Sequence, residues 1–397
     1  MSEWKLGIYC HPDAVSATPD YAKRLVEEAG VDHFVLRSGY DLSYPESQEK
    51  AVQVIRDLEA KVCFMVGTWW GGERKAIENL PYKSFESSMP MQMPGSAIDA
   101  QLIAKLQNLC NQFQPDSICM THARYRHPAY LDGIFDEGRE DQEYQVSMEA
   151  AGIPRSDVLS ARASWEKAMG TLDNTSLIKA SERGLIEFLC ELSQSDAIKR
   201  LIAFRRKTVL QSLVTIREAV KKDGILFGAN AYSPWGADLC GQDYNEAYSK
   251  ISDFVQPLLC YMEWHRYEPI AAWGRYLHQY ANADEPVAVE AAKTLFGLGG
   301  AICLDSFNEL DACVEGNGEA IYSIVSKEIK MCRQYLSKPY RLQPVLRGRQ
   351  WDWAVTGKLV EEAKALGMDS FIFSGCEYLL KGPAPAIAGM SATAGWY

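Results

Sequence analysis

The chain has 397 residues and a mass of 44.4 kDa, the size of one large domain with insertions or of two smaller ones. Hydrophobic residues make up 47% and charged residues 23%, which excludes a disordered chain and allows a large core. With 41 Lys and Arg against 52 Asp and Glu, the net charge of −11 argues against binding to nucleic acid or to anionic lipid.

The cysteines and the hydropathy pattern indicate the compartment. The 11 cysteines are scattered singly, without a C-x-x-C pair, which predicts free thiols in a reducing environment and no structural zinc site. No run of about 18 apolar residues occurs, and the first residues do not resemble an export signal. We therefore expect a soluble cytoplasmic protein that needs no cofactor and binds no membrane, and no feature of the sequence sets its oligomeric state.

Short runs rich in β-branched and aromatic residues alternate with helical patterns from one end of the chain to the other. Eight such runs are Lys5 to His11, His33 to Ser38, Val62 to Thr68, Ser117 to His122, Ile225 to Asn230, Phe254 to Glu263, Leu342 to Arg347 and Ser370 to Ser374. This alternation predicts parallel strands joined by crossover helices, and eight units predict a (β/α)8 TIM barrel in a single domain over residues 1–397. The competing open doubly wound sheet needs a glycine-rich turn after the first strand, where His11-Pro12-Asp13 stands instead.

Two regions interrupt this regular pattern. Residues 123–223 hold no convincing strand, and we predict a large helical insertion over about residues 123–201, in the loop after the fourth strand, that covers the catalytic end of the barrel. Ala301 to Leu304 could form an additional short strand, which would place Asp305 as a further carboxylate. The alternative for Asp305 is a helix N-cap before Phe307.

Active sites of such barrels lie at the carboxyl ends of the strands. The polar and aromatic residues predicted there are Tyr9, His11, Arg37, Trp69, Trp70, His122, Arg124, Asn230, Tyr232, Tyr261 and Arg347. Sugars present apolar CH faces and hydroxyl rims, so a sugar site combines aromatic surfaces with planar hydrogen-bonding groups. Each residue alone is explained by packing, whereas the set as a whole predicts a carbohydrate substrate.

Two carboxylates stand out at these strand ends. Glu263 and Glu377 each follow a strongly apolar strand, where an unpaired buried charge is costly. A protonated acid and an ionised carboxylate are what glycoside hydrolysis needs, so we predict Glu263 and Glu377 as the catalytic pair. The alternative is that each only pairs with a neighbouring arginine, such as Arg347.

A positive cluster follows the fourth strand. His122 and Arg124 are predicted to share one strand face at positions i and i+2, with Arg126 and His127 in the following loop. Such a cluster suits an anionic substituent of a substrate. The alternative is pairing with the acidic stretch at Asp136, Glu137, Glu140 and Asp141.

Several motifs carry a resemblance that spans most of the chain. They are Phe204-Arg205-Arg206 before the fifth strand, Gly241-Gln242-Asp243-Tyr244 after it, Pro257 to Tyr261 in the sixth strand, and the segment Pro344 to Ser374. With the order of the strands, they make the chain resemble a family of poorly characterised, glycoside-hydrolase-like TIM-barrel proteins. The resemblance implies carbohydrate-active chemistry. It does not assign the acid and the nucleophile, because His122, Arg124 and Arg347 stand where many retaining barrels carry their glutamates.

These observations favour a hydrolase that cleaves a glycosidic bond in a small oligosaccharide or glycoside. A second hypothesis is a metal-dependent sugar isomerase or epimerase in which Glu263, His265 and Glu377 bind a divalent ion. A third is a barrel that binds a glycan without catalysis.

Overall fold

A computed structural model describes residues 5–38, 46–67, 74–76, 83–87, 97–125, 131–135, 142–220, 224–244, 247–261, 263–315, 321–336 and 341–385. The strands are β1 (Leu6–Cys10), β2 (His33–Ser38), β3 (Lys61–Gly67), β4 (Arg74–Ala76), β5 (Lys83–Ser87), β6 (Ser117–Thr121), β7 (Leu226–Ala231), β8 (Phe254–Pro257), β9 (Arg341–Leu342), β10 (Val345–Arg347) and β11 (Phe371–Ser374).

The helices up to β7 are α1 (Pro12–Ala17), α2 (Pro19–Glu27), α3 (Ser47–Asp57), α4 (Ala97–Phe113), α5 (Leu131–Ile134), α6 (Gln142–Ala150), α7 (Arg155–Met169), α8 (Asn174–Ser181), α9 (Leu185–Ser193) and α10 (Ala197–Val220). The later ones are α11 (Pro234–Ala237), α12 (Ala247–Ile251), a π-helix (Glu263–Tyr267), α13 (Glu268–Ala281), α14 (Glu285–Leu295), α15 (Phe307–Glu315), α16 (Ile321–Tyr335) and α17 (Trp353–Ala365).

The main sheet is entirely parallel and nearly closes on itself. Its strands follow the order β10, β11, β1, β2, β3, β6, β7, β8, β9. β9 and β10 are two pieces of one strand, and a parallel bridge from Leu258 to Val345 joins the ends of the sheet. Eight strand positions with helices between them confirm the predicted (β/α)8 TIM barrel.

Residue alternation along the strands produces two separate cores. In β2, Val35 packs inside the barrel with Cys63 and Cys119, whereas its neighbours Phe34 and Leu36 pack between the sheet and the helices. Successive side chains of a strand point to opposite faces, and a parallel barrel is covered on both. This explains why the strands read as nearly continuous apolar runs.

Proline residues account for two differences between the predicted and observed strands. The predicted sixth strand, Phe254 to Glu263, ends in the structure at Pro257, and its last predicted residue begins the π-helix. The predicted seventh strand is interrupted between Leu342 and Val345, where Pro344 lies. Because proline has no N–H to donate, it interrupts a sheet ladder at both places.

The additional short strand considered for Ala301 to Leu304 is not formed, because the structure places no strand there. The helix cap expected at Asp305 is also displaced by one residue. The backbone N–H of Ser306 donates to Glu309 Oε2 (3.1 Å), and the backbone N–H of Glu309 lies 3.4 Å from Ser306 Oγ. This reciprocal capping box makes Ser306 the cap of α15 and leaves Asp305 exposed outside it.

Helices α5 to α10 lie between β6 and β7, and α7 and α8 pack against α13 and α14, which follow β8. That residues 123–201 form an insertion covering the barrel mouth stays a prediction. The two-stranded antiparallel pair β4 and β5 was not predicted. Within the described ranges, no helix combines the length and apolar character needed to cross a bilayer.

Candidate active site

A layer of polar side chains crosses the inside of the barrel. Gln256 in β8 accepts hydrogen bonds at Oε1 from the hydroxyl of Tyr9 (3.1 Å) and from the side-chain amide of Asn230 (2.9 Å). The thiol of Cys119 donates to the same oxygen at 3.3 Å. Gln256 Nε2 in turn donates to Gln343 Oε1 at 3.0 Å. The network links β1, β6, β7, β8 and the break between β9 and β10.

Asn230 leaves one acceptor of this layer unused. Its Nδ2 also donates to the hydroxyl of Tyr9 at 2.8 Å, and the residue is only 2% exposed. No group in the described part of the chain hydrogen-bonds its Oδ1. Burial raises the pKa of Tyr9 well above its usual value, so its hydroxyl stays a neutral donor. A buried acceptor without a partner is costly, and a ligand hydroxyl would satisfy it.

An ion pair occupies the end of the barrel at β10. Arg347 donates from Nη1 to Glu263 Oε1 (2.5 Å) and from Nη2 to Glu263 Oε2 (2.9 Å), and both side chains are 12% exposed. Burial raises the pKa of the Cys260 thiol to about 12, with the Arg347 charge lowering it and the Glu263 charge raising it. Cys260 belongs to the core inside the barrel, so the ion pair lies beside the lumen. The arginine partner considered for Glu263 from the sequence is therefore present.

His11 and Arg37 stand at the ends of β1 and β2. His11 Nδ1 accepts the backbone N–H of Asp13 at 3.2 Å and so caps α1, while Asp13 Oδ2 lies 3.2 Å from the same nitrogen. Burial lowers the pKa of His11, the Asp13 charge raises it, and the Arg37 charge lowers it again. The neutral ring accepts at Nδ1 and therefore carries its proton on Nε2, which makes it a donor to ligand oxygens.

Tyr261 stands beside Tyr9, close enough for its charge to raise the pKa of Tyr9. Its ring lies 5.6 Å from the ring of His265, centroid to centroid. The structure thus places Tyr9, Asn230 and Tyr261 near one another inside the barrel. The predicted binding residues Trp69 and Trp70 lie outside the described residues, as do Arg126 and His127.

Arg124 and Tyr232 belong to a buried stack. The guanidinium carbon of Arg124 lies 5.3 Å from the centre of the Tyr232 ring, and that of Arg266 lies 6.0 Å from it. The His265 ring packs on Tyr232 at 4.3 Å, and the Tyr232 hydroxyl donates to the backbone oxygen of His265 at 3.2 Å. Cation and aromatic contacts of this kind stabilise the loops around the mouth.

The expected shared strand face of His122 and Arg124 is wrong. β6 ends at Thr121, and His122 adopts a left-handed backbone conformation with φ of 59°. His122 Nδ1 lies 3.0 Å from Thr121 Oγ1, and the N–H of Arg124 donates to His122 O at 2.8 Å. Beyond Thr121, the strand alternation that would place the two side chains on one face no longer applies.

Glu377 follows β11 on the rim of the barrel. Burial raises the pKa of the Tyr21 and Tyr378 hydroxyls, and the nearby Glu377 charge raises both further. Tyr21 packs in the outer core and contacts Cys376 Sγ at 3.3 Å. No contact in the described residues joins Glu377 to Glu263 or Arg347.

The set Glu263, His265 and Glu377, considered above as metal ligands, is not assembled. Both oxygens of Glu263 are bound by Arg347, and the ring of His265 packs on Tyr232. In the ranges that the structure describes, no three His, Cys, Asp or Glu side chains are grouped to hold a metal ion.

The motif residues that carry the resemblance turn out to hold the loops of the mouth. Gln242 Oε1 accepts the N–H of Tyr232 (2.7 Å), and its Nε2 donates to the backbone oxygen of Ala123 (3.2 Å), which ties the loops after β6 and β7 together. Gly241 has φ of 76°, and a Cβ on it would stand 2.9 Å from the backbone oxygen of Arg205. Only glycine fits this position.

Sequence reasoning missed Gln256, the centre of the polar layer. Its signal was a polar residue within the apolar run that begins at Phe254, in line with the inward-facing Leu258 and Cys260. Reading the inward positions of every strand, and not only the strand ends, would have found it.

Comparison with known proteins found neither a matching family model nor a matching curated protein. Similar solved structures include glycoside hydrolases. The chain is similar to the PgaB (BpsB) glycoside hydrolase domain from Bordetella bronchiseptica, with a TM-score of 0.49 and 11% identity over 98% of this chain and 100% of that one. It is also similar to a GH18 chitinase from Pseudoalteromonas aurantia (TM-score 0.42, 9% identity, 95% and 97% covered) and to the chitinase RmChi1 from Rhizomucor miehei (0.41, 10%, 95% and 98%).

Proposed function

We propose that the protein hydrolyses a glycosidic bond in an oligosaccharide or small glycoside, with Glu263 as the ionised carboxylate. The observation that carries the proposal is the bidentate pair of Glu263 with Arg347, set beside a polar layer inside the barrel. Two charge-assisted hydrogen bonds fix both oxygens of the carboxylate, so its direction does not depend on the substrate.

The ion pair suits Glu263 to one of the two carboxylate roles. A carboxylate that accepts from an arginine at both oxygens is a poor proton donor, but it keeps lone pairs for attack on the anomeric carbon or for activating a water. Arg347 also places positive charge beside the anionic nucleophile. We therefore assign Glu263 as nucleophile or base and not as general acid.

The polar layer supports binding of sugar hydroxyls. Asn230 Oδ1 is a buried acceptor without a partner in the described chain, and Tyr9 and Tyr261 bring a hydroxyl and an aromatic surface beside it. A sugar hydroxyl donating to Asn230 would replace the missing hydrogen bond. His11 and Arg37 would add donors at the neighbouring strand ends.

The general acid is the second carboxylate of the proposal, and Glu377 remains our candidate. Its side chain has no ion-pair partner within the described chain, so its oxygens are available for a proton and a ligand. In the reaction it would protonate the glycosidic oxygen as the bond to the anomeric carbon breaks. Water then supplies the hydroxyl of the new reducing end and returns a proton to the carboxylate.

Hydrolysis of a panel of 4-methylumbelliferyl glycosides, followed by fluorescence, tests the proposal. We expect Glu263→Gln and Glu377→Gln each to lower kcat on the substrate that the wild type cleaves by about 100- to 10,000-fold. The control is Asp311→Asn, which breaks the Arg275–Asp311 ion pair (2.7 Å, 14% and 19% exposed) between α13 and α15. It should keep wild-type activity.

Three outcomes would contradict parts of this assignment. Unchanged rates in Glu263→Gln would remove Glu263 from the reaction, and unchanged rates in Glu377→Gln would move the acid to another residue. Glycan binding by the wild type without any product would instead favour the sugar-binding barrel that the sequence left open.

A further inference from the structure

An exposed aromatic cluster lies on the barrel rim outside the site described so far. Trp353, the first residue of α17, is 45% exposed. Its ring packs at 6.3 Å on Phe373 of β11 and at 5.7 Å on the half-buried Tyr378, with interplanar angles of 43° and 45°. Phe373 is buried beneath it, so the indole is supported from below and open on its other side.

The cluster stands on the two loops that leave β10 and β11, the strands that carry Arg347 and precede Glu377, respectively. Trp353 stands six residues after Arg347, where α17 begins at the end of the loop that leaves β10, and Tyr378 stands in the loop that leaves β11. The N–H of Tyr378 donates to the backbone oxygen of Gly348 (3.1 Å), and the N–H of Gly348 donates to that of Ser374 (2.9 Å). A Cβ at Gly348 would stand 2.0 Å from the backbone oxygen of Gly375. The two loops therefore lie against each other, and they bring the aromatic cluster together close in sequence to Arg347.

Carboxylates surround the aromatic surface. Burial raises the pKa of the Tyr378 hydroxyl, and the charges of Glu377 and Asp352 raise it further. Asp352 Oδ1 accepts the N–H of Ala354 (2.9 Å) as the cap of α17, which fixes its carboxylate next to Trp353. A flat apolar ring flanked by hydrogen-bond acceptors matches the CH face and the hydroxyl rim of a pyranose.

We propose that Trp353 and Tyr378 form a carbohydrate subsite that binds a sugar residue adjoining the one at Glu263. The inference rests on the proposed function and extends it, because Glu377, the proposed proton donor, lies beside Tyr378. A proton donor stands on the side of the departing sugar, so the subsite takes the leaving-group end of the substrate. The substrate class is therefore an oligosaccharide, whose second or third sugar covers Trp353.

The test separates binding at Trp353 from catalysis. Protein labelled with 5-fluorotryptophan is titrated with cellotetraose, chitotetraose and tetragalacturonate, and the fluorine resonance that disappears in Trp353→Phe is followed. We expect at least one tetrasaccharide, but not its monosaccharide, to shift this resonance. If all three tetrasaccharides, and any further one that the protein cleaves, leave the resonance unmoved, the subsite does not exist.

Kinetics give the second readout. Trp353→Ala should raise KM for a cleaved tetrasaccharide about tenfold, the usual scale of one lost aromatic contact. KM for the corresponding monosaccharide fluoride, whose leaving group is too small to reach Trp353, should stay unchanged, and so should all constants of Tyr335→Ala, which removes a comparably exposed aromatic (39%) from α16. Equal losses on the long and the short substrate would overturn the inference. A shifted Trp353 resonance in a protein that cleaves nothing would support the subsite and reject the hydrolase proposal.

Discussion

A carboxylate as buried as that of Glu263 is stable only beside a cation, and Arg347 supplies one through two hydrogen bonds. The same arginine ends β10 and faces the lumen in line with Val345. Arg347 thus orients the carboxylate of the proposed nucleophile and offsets the free-energy cost of burying its charge. The functional and the structural explanation of Arg347, which compete when the sequence is read alone, describe the same contact.

At His11 the structure gives a prediction on pH. Burial lowers the pKa of His11 from the usual 6.5, so the folded state prefers the neutral ring that caps α1. Such a group contributes stability that is present above pH 6.5 and is lost as the pH falls through its lower folded value. We expect His11→Ser, which keeps a capping oxygen but does not titrate, to lose less stability than the wild type on acidification from pH 7.5 to 5.

Urea unfolding at a series of pH values measures this difference. The wild type should lose up to about 1.4 kcal/mol more per pH unit than His11→Ser, the slope for release of one proton. Because only the difference between the two proteins is used, other titrating groups cancel. Parallel curves for the two proteins would show that His11 does not titrate differently in the folded state.

The location of a single site residue was predictable from the sequence where its position on a strand fixes the direction of its side chain. Tyr9, Asn230 and Arg347 meet this condition, and the structure brings them to the lumen or its mouth. Arg124 was misplaced because β6 ends at Thr121, one residue earlier than predicted, and His122 then turns the chain with φ of 59°. Glu377 follows Gly375, which has φ of 92°, and a strand pattern does not give its direction beyond that turn.

At the scale of elements, the π-helix after β8 sets the geometry around Glu263. Arg266 donates from Nε to Glu328 of α16, and both side chains are 1% exposed. Ser233 Oγ donates to the same carboxylate oxygen at 2.8 Å, which joins the loop after β7 to the pair. The buried ion pair therefore fixes the segment that begins with Glu263.

Removing one partner of this pair should be costly. We expect Glu328→Ala to lower the free energy of unfolding by about 3–5 kcal/mol, because it leaves the Arg266 charge buried and unpaired. The double variant Arg266→Met with Glu328→Leu should regain most of that loss, since it removes both charges. Chemical denaturation measures both, and a double variant as unstable as Glu328→Ala would show that the cost is not electrostatic.

The elements themselves were largely readable from the sequence. Strong apolar runs such as Cys63 to Val66 gave the strands, because a parallel strand is buried on both faces. Pro257 and Pro344 were visible in the sequence, but the apolar residues on either side of them predicted continuous strands. The π-helix has no local signature, and the Glu328 that holds it lies 62 residues from Arg266 along the chain.

At the scale of the whole molecule, the hydrogen-bonded ladders between neighbouring strands of the barrel differ in length. β2 and β3 pair over six residues, from His33 with Lys61 to Ser38 with Val66. Between β8 and the split strand, the ladder consists of two pairs with β9 and the single bridge from Leu258 to Val345. Side chains compensate there, because Gln256 bonds Gln343 across the same gap.

Amide hydrogen exchange should reveal this junction. The N–H of Leu259, which donates to Val345 O at 3.2 Å, should exchange roughly 100-fold faster than the amides between β2 and β3. Glu263→Gln should accelerate it further, because Glu263 follows β8 and Arg347 ends β10, so their ion pair spans the junction. Equal protection at both places, or no effect of the substitution, would contradict the prediction.

We therefore expect the barrel to open first at the split strand. Thermal fluctuations that separate β8 from β10 would also separate Glu263 from Arg347. The carboxylate of the proposed nucleophile would then alternate between an orientation fixed by Arg347 and a range of free orientations. A sugar bound across this junction would hold the two strands together. Bound substrate would then reduce the opening of the barrel, and the protein would be most rigid while substrate fills the site.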